Sequence, residues 1–216
     1  VFMIRIIPAL FAFALTVLTG CQSAYYAAWE KVGVEKRDIM VDRVEDAKES
    51  QEDAQQQFSD ALEQFTHLMN YDGGELQDVY EELKDQYEES NQAATEVTKR
   101  INKVQSVADA LFDEWETELD KYSNPELRRE SANKLKDTQR RYASLLKSMR
   151  KAEAKMEPVL SALQDNVLYL KHNLNATAIG ALQSEFNGVK NDINQLIAEM
   201  NNAIKESNAF ISSMRD

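Results

Sequence analysis

Apolar side chains recur along most of this chain in alternating steps of four and three residues. The first series keeps this spacing over nine positions, of which one is polar: Met40, Val44, Ala47, Gln51, Ala54, Phe58, Ala61, Phe65 and Leu68. Such spacing aligns side chains along one stripe of an α-helix, and the stripe is buried when helices pack together. The pattern therefore predicts long helices that pack against one another.

The same spacing continues from Leu76 to Tyr122, from Leu127 to Leu174 and from Ile179 to Met214. Residues that favour turns separate the series, namely YDGG at 71–74, Ser-Asn-Pro at 123–125 and the asparagines near 173–175. Among 216 residues there are only 6 Gly and 3 Pro, too few for the many turns of a β-sandwich or barrel. Composition thus agrees with a helical chain.

We predict an all-α fold, an elongated antiparallel up-down-up-down four-helix bundle or coiled coil, because short turns join antiparallel neighbours. The bundle is a single domain over residues 25–216, with helices at about 25–70, 75–122, 125–173 and 176–215. Each helix would be roughly 60 to 70 Å long. We expect the turns at 71–74 and 173–176 to lie at opposite ends of the rod. Whether residues 123–125 lie near Cys21 depends on where the first helix begins.

Pro158 lies inside the third series. A proline in a helix interior lacks an N–H donor and kinks or ends the helix, at a cost of about 3 kcal/mol. The apolar series keeps its phase across Pro158, so we expect a kink rather than a break.

The N-terminal residues are typical of an export signal. Arg5 precedes the apolar run 6–18, which is too short to span a bilayer but has the length of a signal-peptide core. The next residues resemble the bacterial lipobox, in which a cysteine is lipidated after cleavage: Leu18, Thr19, Gly20 and Cys21. We predict a signal peptide at 1–20 and a lipidated Cys21 that begins a membrane-proximal segment, 21–35. The alternative is an uncleaved anchor with an incidental cysteine.

The residues after Cys21 bear on where such a lipoprotein would reside. In Gram-negative lipoproteins an Asp at the next position usually signals retention in the inner membrane, and this chain has Gln22. We therefore expect attachment to the periplasmic face of the outer membrane, where several acyl chains give a stable anchor. Tyr25, Tyr26 and Trp29 suit the headgroup zone of a membrane, but packing in the helical core explains them equally well.

Charge is distributed unevenly along the chain. The totals are 25 Lys and Arg against 37 Asp and Glu, a net charge of −12, which argues against nucleic acid as a partner. Acidic residues dominate 25–70 and 75–122, whereas residues 126–156 contain ten basic and four acidic residues. The simplest interpretation is that the basic helix pairs with acidic neighbours. The alternative is a stripe that meets anionic lipid headgroups or a polyanion: Arg128, Arg129, Arg140, Arg141, Arg150 and Lys151.

Motifs for chemistry are missing from the sequence. No GxxxxGK[ST] phosphate loop is present, the single cysteine excludes a cysteine-based zinc site, and neither histidine belongs to a Glu-x-x-His di-iron motif. His67 follows Glu63 by one helical turn, which predicts a surface contact. We expect no catalytic residues, no metal and no cofactor. The segment LYLKHNLNA at 168–176 is interpreted as capping and turn formation rather than a binding site.

Several segments are similar to an uncharacterised family of helical lipoproteins from Gram-negative bacteria, catalogued as a domain of unknown function. They are GCQSAYYAAWEKVGVEKRDIMVDRVEDA (20–47), YDGGEL (71–76), ALFDEWE (110–116), LKDTQRRY (135–142), MEPVL (156–160) and VLYLKHNLNA (167–176). The resemblance covers nearly the whole chain and implies a helical lipoprotein without known catalytic residues. Automatic labels of such proteins sometimes read DNA repair ATPase.

Our leading hypothesis is a non-enzymatic lipoprotein of the outer membrane that acts as a structural scaffold, spacer or adaptor for another envelope protein. The second hypothesis is a bundle that binds a lipid or another small ligand between its helices. The third, an ATPase linked to DNA repair, has no phosphate loop to support it. Association with a second copy is compatible with the first two hypotheses.

Overall fold

The computed structural model describes residues 35–70 and 76–215, which form four helices and no strand. The helices are α1 (Lys36–Met69), α2 (Leu76–Leu119), α3 (Pro125–His172) and α4 (Ala176–Arg215). This confirms the predicted all-α class. At 1.5 Å per residue the helices are about 50 to 70 Å long. None of them contains a stretch that is long and apolar enough to span a bilayer.

Local sequence explains where α3 begins. The side-chain oxygen of Asn124 accepts hydrogen bonds from the backbone N–H groups of Glu126 at 2.8 Å and Leu127 at 3.3 Å. Pro125 follows in the first turn, where its missing N–H costs nothing. Residues 123–125 thus separate α2 from α3, as the sequence predicts.

Pro158 does not break α3, which continues to His172. Proline removes the hydrogen bond that residue 158 would donate to the carbonyl group of Ala154. Both Pro158 and Ala154 are exposed, so water can satisfy that carbonyl group. The expectation that the helix does not break here is therefore confirmed.

The helices bury the stripes that the four–three spacing defines. Helix α1 packs against α2 and α4, and α3 also packs against α2 and α4. All nine positions of the first series are buried, including Gln51. The largest fully buried side chains come from all four helices and include Phe58, Ile101, Met149 and Ile193. One core therefore runs through the four helices.

A network of charged side chains joins α1 to α2 outside this core. Arg100 of α2 lies 2.9 Å from Asp46 of α1, which also lies 3.0 Å from Arg43. Arg100 further hydrogen-bonds to Glu96, and that contact raises the pKa of Arg100. Hydrogen bonds from Lys99 and Arg100 lower the pKa of Glu96. Within this network the Arg100–Asp46 ion pair links the two acidic helices, and the other contacts lie within a single helix.

Contacts between the helices identify which termini lie together. Lys36 Nζ at the start of α1 lies 3.0 Å from Glu114, close to the end of α2. We call the region formed by the start of α1, the turn at 120–124 and the end of α4 the α2–α3 end. The turn at 123–125 therefore lies where α1 begins.

The opposite end of the molecule corrects one expectation. Gln183 Nε2 near the start of α4 donates to the carbonyl oxygen of Met69 at 3.4 Å, and the rings of Phe65 and Phe186 are 5.3 Å apart. The end of α1 thus meets the start of α4, at what we call the α3–α4 end. Residues 71–75 lie outside the described residues, but the helix end that precedes them lies at the same end as the turn at 173–175. The prediction that the turns at 71–74 and 173–176 lie at opposite ends is therefore wrong for the flanking helix ends, because the end of α1 contacts the start of α4.

Three residues at the outer limits of the series are exposed rather than buried. Tyr122, Leu127 and Leu174 retain 42%, 51% and 40% of their accessible surface. All residues from 120 to 130 are exposed. A stripe is buried only where a neighbouring helix runs beside it, so the predicted burial of these three side chains is wrong.

Candidate functional site: the end cavity and the charges of α3

A cavity of about 570 Å³ lies at the α2–α3 end, between residues of all four helices. Its apolar lining comes from Leu111 and Trp115 of α2 and Met214 of α4. Charged residues form most of the remaining lining: Glu35, Lys36, Arg37, Glu114, Glu118, Lys134, Asp137 and Arg141. We call this space the end cavity.

The end cavity exists because the four helices do not end at the same level. Lys36 pairs with Glu114, yet α2 continues to Leu119 and α3 begins beyond it. Trp115 Nε1 donates a hydrogen bond of 2.8 Å to Ser131 Oγ, which joins α2 to α3. The indole is therefore held at the cavity wall.

The rim of the end cavity carries both signs of charge. Lys36 pairs with Glu114 at 3.0 Å, and Arg140 pairs with Asp137 at 2.6 Å. Arg141 is exposed and has no ion pair within 35–70 and 76–215. An apolar floor below a rim of mixed charge suits an amphipathic group rather than a simple anion or cation.

Most cations of the predicted α3 stripe have carboxylate partners. Within α3, Arg129 lies near Glu126, Arg140 near Asp137 and Arg150 near Glu153. Arg128 lies 2.8 Å from Asp120, and Lys151 lies 2.7 Å from Glu199 of α4. Arg150 also donates to the side chains of Asn102 and Gln105 on α2. Only Arg150 and Lys151 of these residues contact a neighbouring helix, whereas Arg129 and Arg140 pair within α3 and Arg128 with the turn before it.

Tyr142 of α3 is a buried titratable group and follows Arg141, which lines the end cavity. Its ring packs edge-on against Phe112, with centroids 5.4 Å apart. The hydroxyl group has no hydrogen-bond partner within the described residues. Burial and the carboxylate of Asp109 raise its pKa to about 12, against the opposing effect of Arg150. This phenol therefore stays neutral at physiological pH and is poorly suited to proton transfer.

The segment 168–176 forms the end of α3 and a turn, as predicted. The Asn173 backbone N–H donates to the carbonyl group of Leu170, and its side-chain amide donates to that of Tyr169. Asn175 Oδ1 accepts a hydrogen bond from the Ala178 N–H. The capping interpretation is confirmed. The sequence did not show that Leu168 and Tyr169, at 49% and 39% exposure, would point away from the core.

The other candidates separate into surface residues and residues outside the described ranges. His67 Nε2 lies 3.7 Å from Glu63, and both side chains are exposed, as expected for a surface contact. No group of three potential metal ligands occurs among the residues that the structure describes. The predicted lipid attachment and its neighbours lie outside those residues: Leu18, Thr19, Gly20, Cys21, Tyr25, Tyr26 and Trp29.

Sequence reasoning missed the end cavity. Its lining residues are spread over four helices, and Lys134, Asp137 and Arg141 belong to the charged face of α3. To predict the cavity, one would need to know where the turn at 123–125 lies relative to the start of α1. The spacing of apolar residues does not give that position.

Comparison with known proteins gives one assignment. The family described as "Protein of unknown function (DUF2959)" matches residues 25–214. No curated protein and no solved structure matches the chain. The match includes all four helices and both ends of the molecule, so this chain belongs to that family of unknown function.

Proposed function

We propose that this protein is a non-enzymatic lipoprotein, anchored through Cys21 to the periplasmic face of the outer membrane, that acts as a scaffold, spacer or adaptor. The four helices would form an antiparallel up-down-up-down bundle. Contacts between α1 and α2 support this arrangement, since Lys36 contacts Glu114 and Gln57 contacts Glu89. Residue numbers thus rise along one helix as they fall along the other.

The separation between the anchor and an exposed apolar patch carries this proposal. Cys21 precedes Glu35 by fourteen residues, and Glu35 lines the end cavity. At the α3–α4 end, Leu168, Tyr169 and Leu174 are exposed; we call these three residues the distal patch. Exposed apolar groups often mark contact surfaces. A rod about 50 to 70 Å long would present them well away from the membrane.

Site-specific photocrosslinking in intact cells tests the distal patch. A photoreactive residue at position 168 or 174 should give one discrete adduct with the same envelope protein. Lys147, which is exposed near the middle of α3, is the matched control position and should give none. Tyr169→Ser should remove the adduct formed at 168. Absence of protein adducts at both distal positions, or equal adducts at 147, contradicts the adaptor role.

Lipid attachment requires its own test. Mass spectrometry of the processed chain should find an acylated N-terminal Cys21, and Cys21→Ser should abolish the modification. Gln22→Asp is the matched variant for location, because it should move the lipidated protein to the inner-membrane fraction. An unmodified cysteine, or no change in fractionation with Gln22→Asp, would contradict the corresponding part of the proposal.

The end cavity supports a second candidate function, binding of a lipid or another small amphipathic ligand. Its volume of about 570 Å³ is in the range of small-ligand pockets. Native mass spectrometry with added palmitate or lysophosphatidylcholine should detect a one-to-one complex that Trp115→Ala weakens. Tyr169→Ala at the opposite end is the control and should bind normally. Detection of unliganded protein alone in both mixtures would reject this function.

A further inference from the structure

The charged side chains around the end cavity are unevenly paired. Most of its carboxylates have a cationic partner: Glu114 with Lys36, Glu118 with Lys121 and Asp137 with Arg140. Three exposed cations of the lining have no ion pair within 35–70 and 76–215, namely Arg37, Lys134 and Arg141. In the same ranges Glu35 is the one carboxylate of the lining without an ion pair. The rim of the cavity therefore has an excess of unpaired positive charge.

Two of these unpaired cations share one face of α3. Lys134 and Arg141 are seven residues apart in the sequence, which places them on the same side of the helix and about 10 Å apart along its axis. Arg141 also lines a second cavity, of about 360 Å³, between α3 and α4. The guanidinium group of Arg141 therefore borders both cavities.

Apolar lining continues along α4 from the end cavity to this second cavity. Met214 lines the end cavity, and Phe210, one helical turn earlier, lines the second. The carboxylate of Glu206 also lines the second cavity, but it already accepts a hydrogen bond of 3.1 Å from Ser144 Oγ. An apolar strip beside unpaired cations suits a molecule that joins an apolar chain to an anionic group.

We propose that the end cavity binds a single-chain amphiphile whose headgroup is anionic, either a carboxylate or a phosphate. The headgroup binds Arg141 and Lys134, and the chain packs against Trp115 and Met214. Arginine suits this role because its planar guanidinium group can donate two parallel hydrogen bonds to either anion. The inference rests on the second candidate function, ligand binding in the end cavity, and is independent of the scaffold role and of lipid attachment.

Trp115 provides a fluorescent probe at the cavity wall, since Trp29 is the only other tryptophan of the chain. Trp29→Phe in the full chain makes Trp115 the sole tryptophan, and we call this variant the probe protein. Three amphiphiles with the same brominated chain would be added: dibromostearate, the corresponding lysophosphatidic acid and the uncharged monoacylglycerol. Bromine quenches an indole only in close contact. All samples would contain the same concentration of dodecyl maltoside, so that partition into detergent affects each variant equally.

The two anionic amphiphiles should quench Trp115 at concentrations on the order of fivefold lower than the uncharged one, as expected for an exposed ion pair. Arg141→Gln in the probe protein should remove most of this difference. Lys147→Gln, which removes an exposed cation of α3 that lines neither cavity, is the matched control and should keep it. Both substitutions are at exposed sites, so neither should impair folding. The stronger of the two anionic quenchers identifies the preferred headgroup, carboxylate or phosphate.

Three results would overturn the proposal. Equal quenching of the probe protein by all three amphiphiles, or a preference for anions that Arg141→Gln leaves intact, would reject the anionic headgroup site. Ligand binding in the end cavity would then still stand. An absence of quenching by all three would reject ligand binding together with the headgroup site. The scaffold role has its own test in the crosslinking experiment, so its failure is distinguishable from each of these results.

Discussion

Two aromatic pairs of nearly equal geometry lie toward opposite ends of the molecule. Phe65 and Phe186 meet edge to face at 5.3 Å and 74°, and Phe112 and Tyr142 meet at 5.4 Å and 65°. Phe65, Phe186 and Tyr142 belong to the four–three series, whereas Phe112 lies next to the series member Leu111. Their surroundings nevertheless differ.

The pair at the α3–α4 end contains one fully buried ring, Phe65, and one partly buried ring, Phe186. Gln183 of α4 donates to the carbonyl group of Met69 nearby. In the other pair, Phe112 and Tyr142 directly follow Leu111 and Arg141, which line the end cavity, and the hydroxyl group of Tyr142 is unpaired among the described residues. An apolar stripe therefore gives a closed core only where all four helices overlap. The end cavity lies where they do not.

Truncation of one phenylalanine from each pair should give the largest difference in the free energy of unfolding between the two ends. Phe65→Ala is expected to lower the free energy of unfolding by about 3–5 kcal/mol, because the space it leaves is enclosed. Phe112→Ala should cost less, since water can enter from the adjacent cavity. Urea denaturation of both variants measures the difference. An equal or larger loss for Phe112→Ala would show that the α2–α3 end is packed as tightly as the other.

Gln51 of α1 is, like the Tyr142 hydroxyl group, a polar group buried without a hydrogen-bond partner. It lies nearer the start of α1 than Phe65 does. Neither atom of its amide has a hydrogen bond among the described residues, although the side chain is fully buried. Such a group costs about 1–3 kcal/mol, so Gln51→Leu should raise the free energy of unfolding by a similar amount. Gln56→Leu, at an exposed site, is the control and should change stability by less than about 0.5 kcal/mol. Destabilisation by Gln51→Leu in urea titrations would contradict this account.

Sequence spacing was sufficient for the helices and most of their buried faces. The positions from Met40 to Leu68 are buried because α2 and α4 run beside α1 over that length. Tyr122 and Leu127 have the same spacing but are exposed. Spacing defines a face of one helix, whereas burial depends on how far the neighbouring helices extend.

The candidate site was less predictable for the same reason. Lys134 and Arg141 look like ordinary surface residues of α3, and Met214 like an ordinary core residue. They line one cavity only because α1 begins at the level of Glu114. In contrast, the Asn124 cap and the turn at 173–175 were predicted correctly from the sequence, because their hydrogen bonds join residues that are close in sequence.

Removal of the hydroxyl group that distinguishes the two aromatic pairs should make stability less sensitive to alkali. The pKa of Tyr142 is about 12 in the folded protein against an ordinary value of 10.0. Between these values the unfolded chain loses the phenolic proton and the folded protein keeps it, so stability falls as the pH rises. Tyr142→Phe should reduce this loss, which amounts to at most about 1.4 kcal/mol per pH unit.

Urea denaturation at about pH 8 and about pH 11 measures the alkaline effect. Tyr169→Phe, at an exposed site of the same helix, is the matched control and should retain the alkaline sensitivity of the parent chain. Equal sensitivity in Tyr142→Phe and in the parent would show that water reaches the hydroxyl group, and the end cavity would then extend further along α3 than the described packing indicates.

The smallest effect is expected between the two aromatic pairs, where Lys151 of α3 lies 2.7 Å from Glu199 of α4. The hydrogen bond from Lys151 lowers the pKa of Glu199 below its ordinary value of 4.5. A lowered pKa stabilises the folded protein above that value, and the contribution disappears as the pH falls through the folded-state pKa. Glu199→Gln should therefore be slightly less stable than the parent at neutral pH and equally stable in acid below the folded-state pKa of Glu199. Glu185→Gln, at an exposed site of α4 without an ion pair among the described residues, should match the parent at both pH values. A stability difference for Glu199→Gln that persists in acid would mean that its carboxylate contributes by packing at the α3–α4 contact rather than by charge.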